Sequence, residues 1–468
     1  MMRSVARLSR STLAFYAFPA FALAMPTIPV YVYLPTYYAD TVGLGLAATG
    51  GVLLTARLLD VVTDPMVGVL SDRWRSRWGR RRPWILLGAL LAALGLLQLF
   101  QPPTGVGPAY LLAWAMVLYV GWTLVAVPYT AWGAELSDDY HERSRITGSR
   151  EAAMIAGILA AGAVPTLMAG AGGSEEDGLA AVAWLAILIG TPTIALLLWR
   201  VPEPNIGAND GVGKRPAHVM PGNTDPGGSR QWHALKEVAG NRPFLRLLSA
   251  WFINGLANGF PAVLFPLYLQ HALEAGPLAR GGLIMVYFLA GVAAIPLWLW
   301  LSRRRGKHKA WCIAMAIACA AFLWVPLLGP GDIALFVVIC IVTGTALGAD
   351  LALPPAMQAD VVDLDTLRTG HQRAGMFFAL WSMATKLALA CAVGIAFPLL
   401  DLVGFDPGGV NEQSALVALA VIYALFPTLL KGAAIALIWH HPLDARRQGI
   451  IRRRLASRSA RLLARAPA

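Results

Sequence analysis

The sequence predicts an all-α membrane protein with twelve transmembrane helices arranged as two bundles of six. Three observations predict this fold. First, 57% of the 468 residues are hydrophobic and only 14% are charged, whereas about a quarter of a soluble domain is charged. Second, apolar runs long enough to span a bilayer recur along the whole chain. Third, one long polar insert separates these runs into six and six.

Twelve segments have the roughly 20 mostly apolar residues that a membrane-spanning helix needs. The first of them has no small-residue cleavage site followed by a soluble domain, so we expect a retained span and not a signal peptide. The predicted spans are 11–38, 45–71, 84–101, 108–133, 148–170, 179–200, 244–271, 281–301, 310–328, 332–357, 374–400 and 415–439.

The polar insert sets the predicted domain boundaries. It contains "NIGANDGVGKRPAHVMPGNTDPGG", and this content of Gly, Pro and Asn is typical of a linker. The predicted units are a first six-helix bundle at 1–200, a cytoplasmic linker at 201–243, a second bundle at 244–440 and a basic cytoplasmic tail at 441–468.

Lys and Arg are concentrated on one side of the predicted topology. Loop 2–3 has six arginines, loop 8–9 reads "SRRRGKHK" and the tail is also basic, whereas Arg280 is the only basic residue in the opposite loops. Cytoplasmic loops retain positive charge, so both termini are predicted to be cytoplasmic, in a bacterial inner membrane. This topology accounts for most of the net charge of +12. We therefore expect contact with membrane lipid and no nucleic-acid partner.

The sequence gives no support for catalysis. It has no nucleotide-binding Gly-rich loop, no HExxH motif and no GxSxG motif. Its four cysteines lie in apolar runs without metal-ligand spacing, so we expect them to be small core residues. We expect neither an enzyme nor ATP coupling, no cofactor, and a monomer that handles a small-molecule substrate.

The two halves of the chain are weakly similar to each other. Loop 4–5 contains Glu135 and Arg143, and loop 10–11 contains Asp360 and Arg368 at the same spacing. Each of these loops follows a span that contains proline. Two six-span repeats around a central cavity are typical of secondary transporters.

Span two carries three charges in the stretch "ARLLDVVTDP", namely Arg57, Asp60 and Asp64. Their spacing places them on one helical face. Asp60 lies about 16 Å from the end of the span at 1.5 Å per residue, where a charge costs about 2.5–3.5 kcal/mol. A cation, a proton or a nearby base relieves the repulsion within such a carboxylate pair. This predicts a cation or proton site, and the alternative is a structural salt bridge.

Lys386 and Asp350 are deep charges in the second half. Lys386 lies too far inside span eleven to snorkel to the interface, so we expect it to be the mobile counter-charge of Asp60 or Asp64. Asp350 has no charged neighbour in the sequence, and two alternatives stay open. It either faces the cavity or is neutral and hydrogen-bonded.

Two further basic residues lie nearer the ends of their spans. Arg150 is early in span five, and its expected partner is Glu135 or Glu151. Lys431 lies about nine residues from the end of span twelve, and we expect it to snorkel to the interface.

The loop after span two, "SDRWRSRWGRRRPW", is predicted to act as part of a gate. Asp72 lies next to a basic cluster, which predicts ion pairs between loops that close the cytoplasmic side. A topological anchor is the compatible alternative. The residues of the predicted gating loops are Asp72, Arg80, Glu135 and Arg143.

These segments resemble a known family. "RLLDVVTDPMVGVLSDRWRSRWGRRRPW" resembles the signature of the glycoside–pentoside–hexuronide:cation symporters, the melibiose permease group of the major facilitator superfamily. "PYTAWGAELSDDYHERSRITGSRE" is similar to the loop 4–5 of that group, "ADVVDLD" to its loop 10–11, and the tract around Lys386 to its span eleven. The resemblance runs from span one to span twelve. It implies the major facilitator fold and cation-coupled symport by alternating access.

The resemblance also implies roles for individual residues. Asp60 and Asp64 fall on the positions that bind the coupling cation, Na⁺ or H⁺, and Thr123 falls on a hydroxyl ligand of that cation. Lys386 falls on the coupling lysine of the family, and Arg150 on an arginine that lines its cavity. The other positions that the resemblance places at the cavity are Tyr31, Trp122 and Asn258.

Two positions depart from the family pattern. Melibiose permease binds sugar hydroxyls with one carboxylate in span one and one in span four, but the matching residues here are Ala24 and Ala126. Buried hydroxyls need partners, so we do not expect melibiose to bind in the same way. Either Asp350 supplies a replacement carboxylate from the other half, or the substrate is less polar.

Three functions therefore stay open. The first is symport of a sugar, glycoside or uronide with Na⁺ or H⁺. The second is transport of a lysophospholipid or another amphiphile, because a sodium-coupled lysophospholipid symporter resembles this chain in span two; an apolar cavity open to the bilayer would favour it. The third is a non-transporting receptor or scaffold, which predicts fully paired charges and a closed cavity.

Overall fold

The structure is a computed structural model that describes residues 8–73, 76–136, 140–203, 240–370 and 374–464. Most of the predicted linker, at 204–239, lies outside these ranges. Within them the chain is almost entirely helical, and the extended pairing is a single bridge between Ser76 and Gly79. Eleven helices in the described part are long and apolar enough to cross a membrane. The predicted all-α membrane fold is confirmed.

The described ranges contain thirteen long helices, twelve of which follow the predicted spans in order. Helices α1 to α12 lie at the twelve predicted spans, and α13 lies in the basic tail. Their bounds are α1 Arg10–Ala39, α2 Leu46–Arg73, α3 Arg82–Phe100, α4 Pro108–Glu135, α5 Tyr140–Gly170, α6 Glu175–Arg200, α7 Arg242–Ala272, α8 Pro277–Arg305, α9 Lys307–Phe322, α10 Ile333–Thr369, α11 Ala374–Leu402, α12 Gln413–Ile438 and α13 Ala445–Ala464.

Helix α5 lies at the fifth predicted span but is not among the eleven apolar helices. Its first part, "YHERSRITGSRE", is polar, and its apolar part follows. It packs against α1, α4 and α6 as a member of the first half. It therefore completes the first group of six helices.

Local sequence explains where several helices begin and end. Ser174 and Asp177 at the start of α6 form a capping box that satisfies backbone N–H groups with no partner inside the helix. Helix α10 ends at Gly370, whose φ of 75° is a left-handed conformation that suits glycine. Gly306, with φ of 86°, separates α8 from α9.

Prolines interrupt the regular hydrogen bonding of three helices. Helices α1, α7 and α12 contain widened π-helical turns at Pro29–Tyr33, Tyr268–Ala272 and Val421–Leu425, each close to a proline. Proline lacks the N–H donor of a regular helix, which favours such local adjustments. The turn in α1 carries Tyr31, which contacts Arg57 of α2.

The helices pack as two groups of six with matching neighbours. In the first half, α1 packs against α5 and α6, α2 against α4, and α3 against α4 and α6. In the second half, α7 packs against α11 and α12, α8 against α10, and α9 against α10 and α12. The same neighbour relations therefore repeat six helices later, and the two halves meet through α2 with α11 and α5 with α8.

Glycines allow the helices of each half to approach closely, as is typical inside membranes. A Cβ added to Gly344 of α10 would lie 2.4 Å from the backbone oxygen of Tyr287 in α8. A Cβ added to Gly121 of α4 would lie 2.5 Å from the backbone nitrogen of Ala92 in α3. Both distances are shorter than van der Waals contact, so a larger residue would push the helices apart.

The two halves contact each other at the end of the bundle where α2 begins. Leu46 of α2 lies in one core cluster with Phe260 and Leu264 of α7. A Cβ added to Gly394 of α11 would lie 2.6 Å from a side-chain carbon of Leu54 in α2. The end that carries loop 1–2 is therefore closed between the halves.

We predict that Gly344→Ala lowers the melting temperature of the purified protein in detergent. The added methyl group overpacks the crossing of α8 and α10, at a cost of about 1–3 kcal/mol. Gly432→Ala in α12 is the matched control, because a Cβ there meets nothing within 4 Å. Alanine is the better helix former by about 1 kcal/mol, so the control should melt at the same or a higher temperature. Equal melting temperatures for the two variants would contradict the close packing.

Candidate functional site

Asp60 and Asp64 of α2 face Lys386 of α11 in the opposite half. Lys386 Nζ lies 3.0 Å from Asp60 Oδ2 and 2.6 Å from Asp64 Oδ2. The Asp60 side chain is only 3% exposed and that of Lys386 is 22% exposed. Opposite charges attract more strongly in such a poorly hydrated site than in water. This ion cluster therefore joins the two halves.

Thr123 of α4 contacts the same two carboxylates. Its Oγ1 lies 2.7 Å from Asp64 Oδ1 and 3.1 Å from Asp60 Oδ1. A hydroxyl group has one proton to donate, so it serves only one carboxylate at a time. Three oxygen atoms thus meet with only one hydroxyl proton between them. A cation or a second proton at this point would relieve the repulsion between the oxygen atoms.

Arg57 lies one turn before Asp60 and is held between two aromatic rings. Its guanidinium carbon is 4.2 Å from the ring centroid of Tyr31 and 3.8 Å from that of Tyr119. Its Nη1 is 3.7 Å from Asp60 Oδ2. Cation–π contacts stabilise a desolvated guanidinium by about 2 kcal/mol. Arg57 is therefore fixed as a second positive charge beside Asp60, in the salt bridge that was the alternative expected for it.

The ion cluster is balanced in formal charge. Asp60 and Asp64 supply two negative charges, and Arg57 and Lys386 supply two positive charges. Removing one member would leave a desolvated charge without its partner, which is costly. Lys386 is the member that comes from the second half, at the position where the sequence predicts a counter-charge.

A second buried network lies in the second half and corrects the expectation for Lys431. The residue is 3% exposed, and its Nζ donates to Asn254 Oδ1 at 2.8 Å and to Asn258 Oδ1 at 2.6 Å. Asn258 Nδ2 donates to Asp350 Oδ2 at 2.7 Å, and Trp311 Nε1 donates to Asp350 Oδ1 at 2.6 Å. The snorkelling prediction is wrong because Lys431 faces α7, whose asparagines bind its ammonium group inside the bundle.

Part of this network had a signal in the sequence. Asn254 and Asn258 are four residues apart in an apolar span and therefore share one face of α7. Polar groups in such a position need partners from other helices. Sequence reasoning nevertheless missed Asn254, Trp311 and Lys431 as members of one site. Nothing in the order of residues links α7 to α9 and α12.

Asn258, Asp350 and Lys431 lie on the wall of a cavity. The cavity encloses about 780 Å³ of empty space, including the part that is open to solvent. Its lining is mostly apolar or aromatic and comes from α7, α8, α9, α10 and α12, with Val32 of α1 as the described contribution of the first half. Asp350 thus faces the cavity, as one of its two alternatives expects, and it also accepts hydrogen bonds from Asn258 and Trp311.

Two other predicted site residues lie apart from both networks. Arg150 pairs with the neighbouring Glu151, and its Nη1 donates to Thr130 Oγ1 at 3.0 Å. Glu151 is one of its two expected partners, and the side chain of the other, Glu135, lies outside the described part of the chain. Trp122 is half-buried beside Thr123 and is not among the described residues that line the cavity.

The predicted gating loops are described only in part. The backbone N–H of Arg80 donates to Glu203 Oε1 at 2.8 Å, just after α6. This contact attaches loop 2–3 to its own half, and the gating and topological-anchor alternatives both stay predictions. The members whose side chains lie outside the described part of the chain are Asp72, Glu135 and Arg143.

Comparison with known proteins now decides the family. A family model described as "MFS/sugar transport protein" matches residues 15–445, which cover all twelve predicted spans except the first four residues of span one. This chain belongs to the MFS/sugar transport family. The resemblance to the cation symporters of the major facilitator superfamily, found first in span two, is confirmed.

Similar proteins span almost the whole chain. It is 23% identical to the isoprimeverose transporter of Lactiplantibacillus pentosus, over 91% of this chain and 87% of that protein. It is also 23% identical to sodium-dependent lysophosphatidylcholine symporter 1-A of Danio rerio, over 89% of this chain and 82% of that protein. The crystal structure of a D-xylose-proton symporter has the same fold, with a TM-score of 0.64 at 14% identity, over 93% of this chain and 98% of that one.

These matches establish the general activity of the MFS/sugar transport chain. The family and the similar proteins are transporters, and several are named as symporters. The chain is therefore an integral multi-pass membrane protein and a cation-coupled secondary symporter, and it belongs to a family of transporters and not of enzymes. The predicted fold and class of function are confirmed.

We predict that Lys386→Met destabilises the protein by about 3 kcal/mol in sodium-free detergent solution, because it leaves the Asp60–Asp64 pair short of one positive charge. The double variant Lys386→Met with Asp64→Asn should recover part of this loss, because it removes a negative charge as well. Lys309→Met changes an exposed lysine at the start of α9 and should have little effect. Melting temperatures measure all three. A double variant less stable than Lys386→Met would contradict the charge balance.

Proposed function

We propose that this chain is a sodium-coupled symporter that moves a glycoside into the cell. The observation that carries the proposal is the meeting of two carboxylates and one hydroxyl around a lysine of the opposite half. Thr123 Oγ1 lies within hydrogen-bonding distance of one carboxylate oxygen of Asp60 and one of Asp64. Lys386 occupies the other side of the two carboxylates. These oxygens are the cation site, and the ammonium group stands in for the cation in this conformation.

Charge balance explains why Na⁺ and Lys386 compete. The cluster is neutral with Lys386 bound, so an added cation would give it an unbalanced positive charge in a poorly hydrated place. Such a charge is expensive unless a partner compensates it. Binding of Na⁺ therefore releases Lys386 from Asp60 and Asp64.

Release of Lys386 couples the cation to the shape of the protein. The ammonium group is a charged connection between α2 and α11, and thus between the two halves. The halves are also closed at the end that carries loop 1–2. With the basic loops and both termini in the cytoplasm, this conformation faces inward. Sodium then biases the halves towards the outward-facing arrangement, in which substrate enters.

Sodium fits the oxygen set better than a proton does. A proton needs only one carboxylate to bind it, whereas a hard metal cation is bound by several oxygen atoms at once. Thr123 adds a neutral oxygen that a proton site does not require. The lysophosphatidylcholine symporter with 23% identity is named as sodium-dependent, which supports the same choice.

A glycoside is the favoured substrate. The isoprimeverose transporter is similar over 91% of this chain, and the cavity combines aromatic walls with the polar side chains Asn258, Asp350 and Lys431. The second candidate is a lysophospholipid, because the cavity lining is mostly apolar and one similar symporter is named for such a lipid. Ala24 and Ala126 in the first half have no polar group to offer either substrate.

We predict that Thr123→Val weakens Na⁺ binding about tenfold, because one oxygen ligand is lost from a charged site. Thr123→Ser keeps the hydroxyl group and should keep the affinity within about twofold. The rise in melting temperature with NaCl, measured against choline chloride, reports the affinity. Equal affinities of the Val and Ser variants would remove Thr123 from the site, and a response to pH without a response to Na⁺ would favour proton coupling.

We predict that Asp60→Asn and Asp64→Asn abolish sodium-driven uptake in proteoliposomes, because each removes a charged ligand of the cation. Uptake of para-nitrophenyl glycosides is measured with and without an inward Na⁺ gradient. Asp401→Asn is the matched control, because Asp401 is exposed at the end of α11. Gradient-dependent uptake that survives both Asp60→Asn and Asp64→Asn would contradict the proposed mechanism.

A further inference from the structure

The buried network of the second half holds two opposite charges apart. Lys431 is bound by the amide oxygens of Asn254 and Asn258, and Asp350 is bound by the amide of Asn258 and the indole N–H of Trp311. Neutral groups thus bind both charges, and Asn258 separates them. A buried pair that served stability alone would gain more from direct contact or from apolar replacements. This arrangement leaves both charges available to a third partner.

The two charged groups keep unused hydrogen-bonding capacity. An ammonium group has three donors, and Asn254 and Asn258 take two of those of Lys431. A carboxylate has about four acceptor positions, and Asn258 and Trp311 occupy two of those of Asp350. Asp350 is 7% exposed and Lys431 is 3% exposed, yet both line the cavity. Unused capacity in so buried a place is costly, and a bound ligand would satisfy it.

We propose that Asn258, Asp350 and Lys431 form the substrate-recognition corner of this transporter and bind the hydroxyl groups of a neutral sugar ring. This inference rests on the proposed function and narrows its substrate class. A sugar hydroxyl both donates and accepts, so neighbouring hydroxyls donate to Asp350 and accept from Lys431. Recognition of hydroxyls then lies in the second half, apart from the cation site in the first.

The charges of the corner select against ionic ligands. An anionic group such as a uronide carboxylate would satisfy Lys431 but would meet the negative charge of Asp350. A cationic group would satisfy Asp350 but would meet the positive charge of Lys431. A neutral ring avoids both repulsions because it carries no formal charge. The ligand class is therefore a neutral glycoside and not a uronide.

The remaining walls of the cavity accommodate an apolar substituent on the sugar. Several aromatic rings line it, and aromatic faces pack well against the C–H face of a sugar ring or against an aromatic aglycone. Tyr287 and Phe288 come from one turn of α8, and Phe336 of α10 and Tyr423 of α12 also line the cavity. A glycoside with an apolar aglycone matches this combination of a polar corner and apolar walls.

The test measures ligand binding to the purified full-length chain as a shift in melting temperature. The probes are a panel of neutral para-nitrophenyl glycosides that includes the xyloside, the anionic para-nitrophenyl glucuronide, and lysophosphatidylcholine. We expect at least one neutral glycoside to bind and to bind more tightly than the other two probes. Asp350→Asn should weaken that binding about tenfold or more, and Asp401→Asn should leave it unchanged.

The sodium response separates this inference from the proposed function. Asp350→Asn should keep the shift caused by Na⁺, because Asp60, Asp64 and Thr123 are intact. The second variant is Asn258→Ser, which tests the inference if Asp350→Asn does not fold. It removes the amide that links Asp350 to Lys431 but leaves both charges in place. If Na⁺ does not shift the melting temperature of the unmodified protein, the proposed function is contradicted. The inference about the substrate-recognition corner is then tested by the glycoside binding alone.

Three results would overturn the substrate-recognition corner. The first is unchanged glycoside affinity in both Asp350→Asn and Asn258→Ser. The second is binding of the glucuronide or the lysolipid with no binding of any neutral glycoside in the panel. The third is joint loss of the sodium and glycoside shifts in Asn258→Ser, which would mean that this network only supports the structure.

Discussion

Lys386 reaches across from α11 and binds both Asp60 and Asp64 of α2. Two carboxylates this close in a poorly hydrated site are stable only with compensating charge. Arg57 supplies one positive charge from the same helix, fixed between Tyr31 and Tyr119. The other charge comes from the opposite half, so the electrostatic balance of the cluster requires a particular arrangement of the two halves.

The same packing of six helices occurs in each half, so the contact between Lys386 and the two carboxylates connects two whole groups of helices. The helices within each half pack closely, because helices such as α8 and α10 cross at glycines that permit backbone contact. Within the described residues, the halves contact each other most extensively through α2 with α11 and α5 with α8. In the proposed mechanism, a change in charge at the α2–α11 contact therefore acts on both halves. The carboxylates and the hydroxyl group of the ion cluster come from the first half and Lys386 from the second, whereas the hydrogen bonds around Asp350 and Lys431 lie wholly within the second half.

Much of the fold was predictable because the membrane constrains it. Backbone groups in the bilayer core must be satisfied within a helix, so apolar runs of the right length give the spans almost directly. The pair Asp60 and Asp64 was predictable for the same reason, since charge at that depth is rare without a role. Contacts between distant helices were not. Lys431 was misjudged because its distance from the end of the span says nothing about the direction in which it points.

The resemblance to a known family identified Thr123, which composition and spacing alone did not. Thr123 is a common residue in an apolar span, and only its position opposite α2 brings its hydroxyl to the carboxylates. By contrast, the spacing of Asn254 and Asn258 indicates a shared polar face of α7 but not its partners, and the contacts of Asn254 with Lys431 and of Trp311 with Asp350 appear only in three dimensions. Local sequence therefore locates isolated charges well, but it does not reveal the neutral groups that surround them.

In the proposed mechanism, Na⁺ and the ammonium group of Lys386 compete for the same two carboxylates. The most direct test is the Na⁺ affinity of the purified protein, measured calorimetrically for the unmodified chain and for Lys386→Met. Competition predicts that the variant binds Na⁺ more tightly, because its cluster carries an uncompensated negative charge that only the cation can balance. Weaker binding of Na⁺, or none, in Lys386→Met would contradict this account.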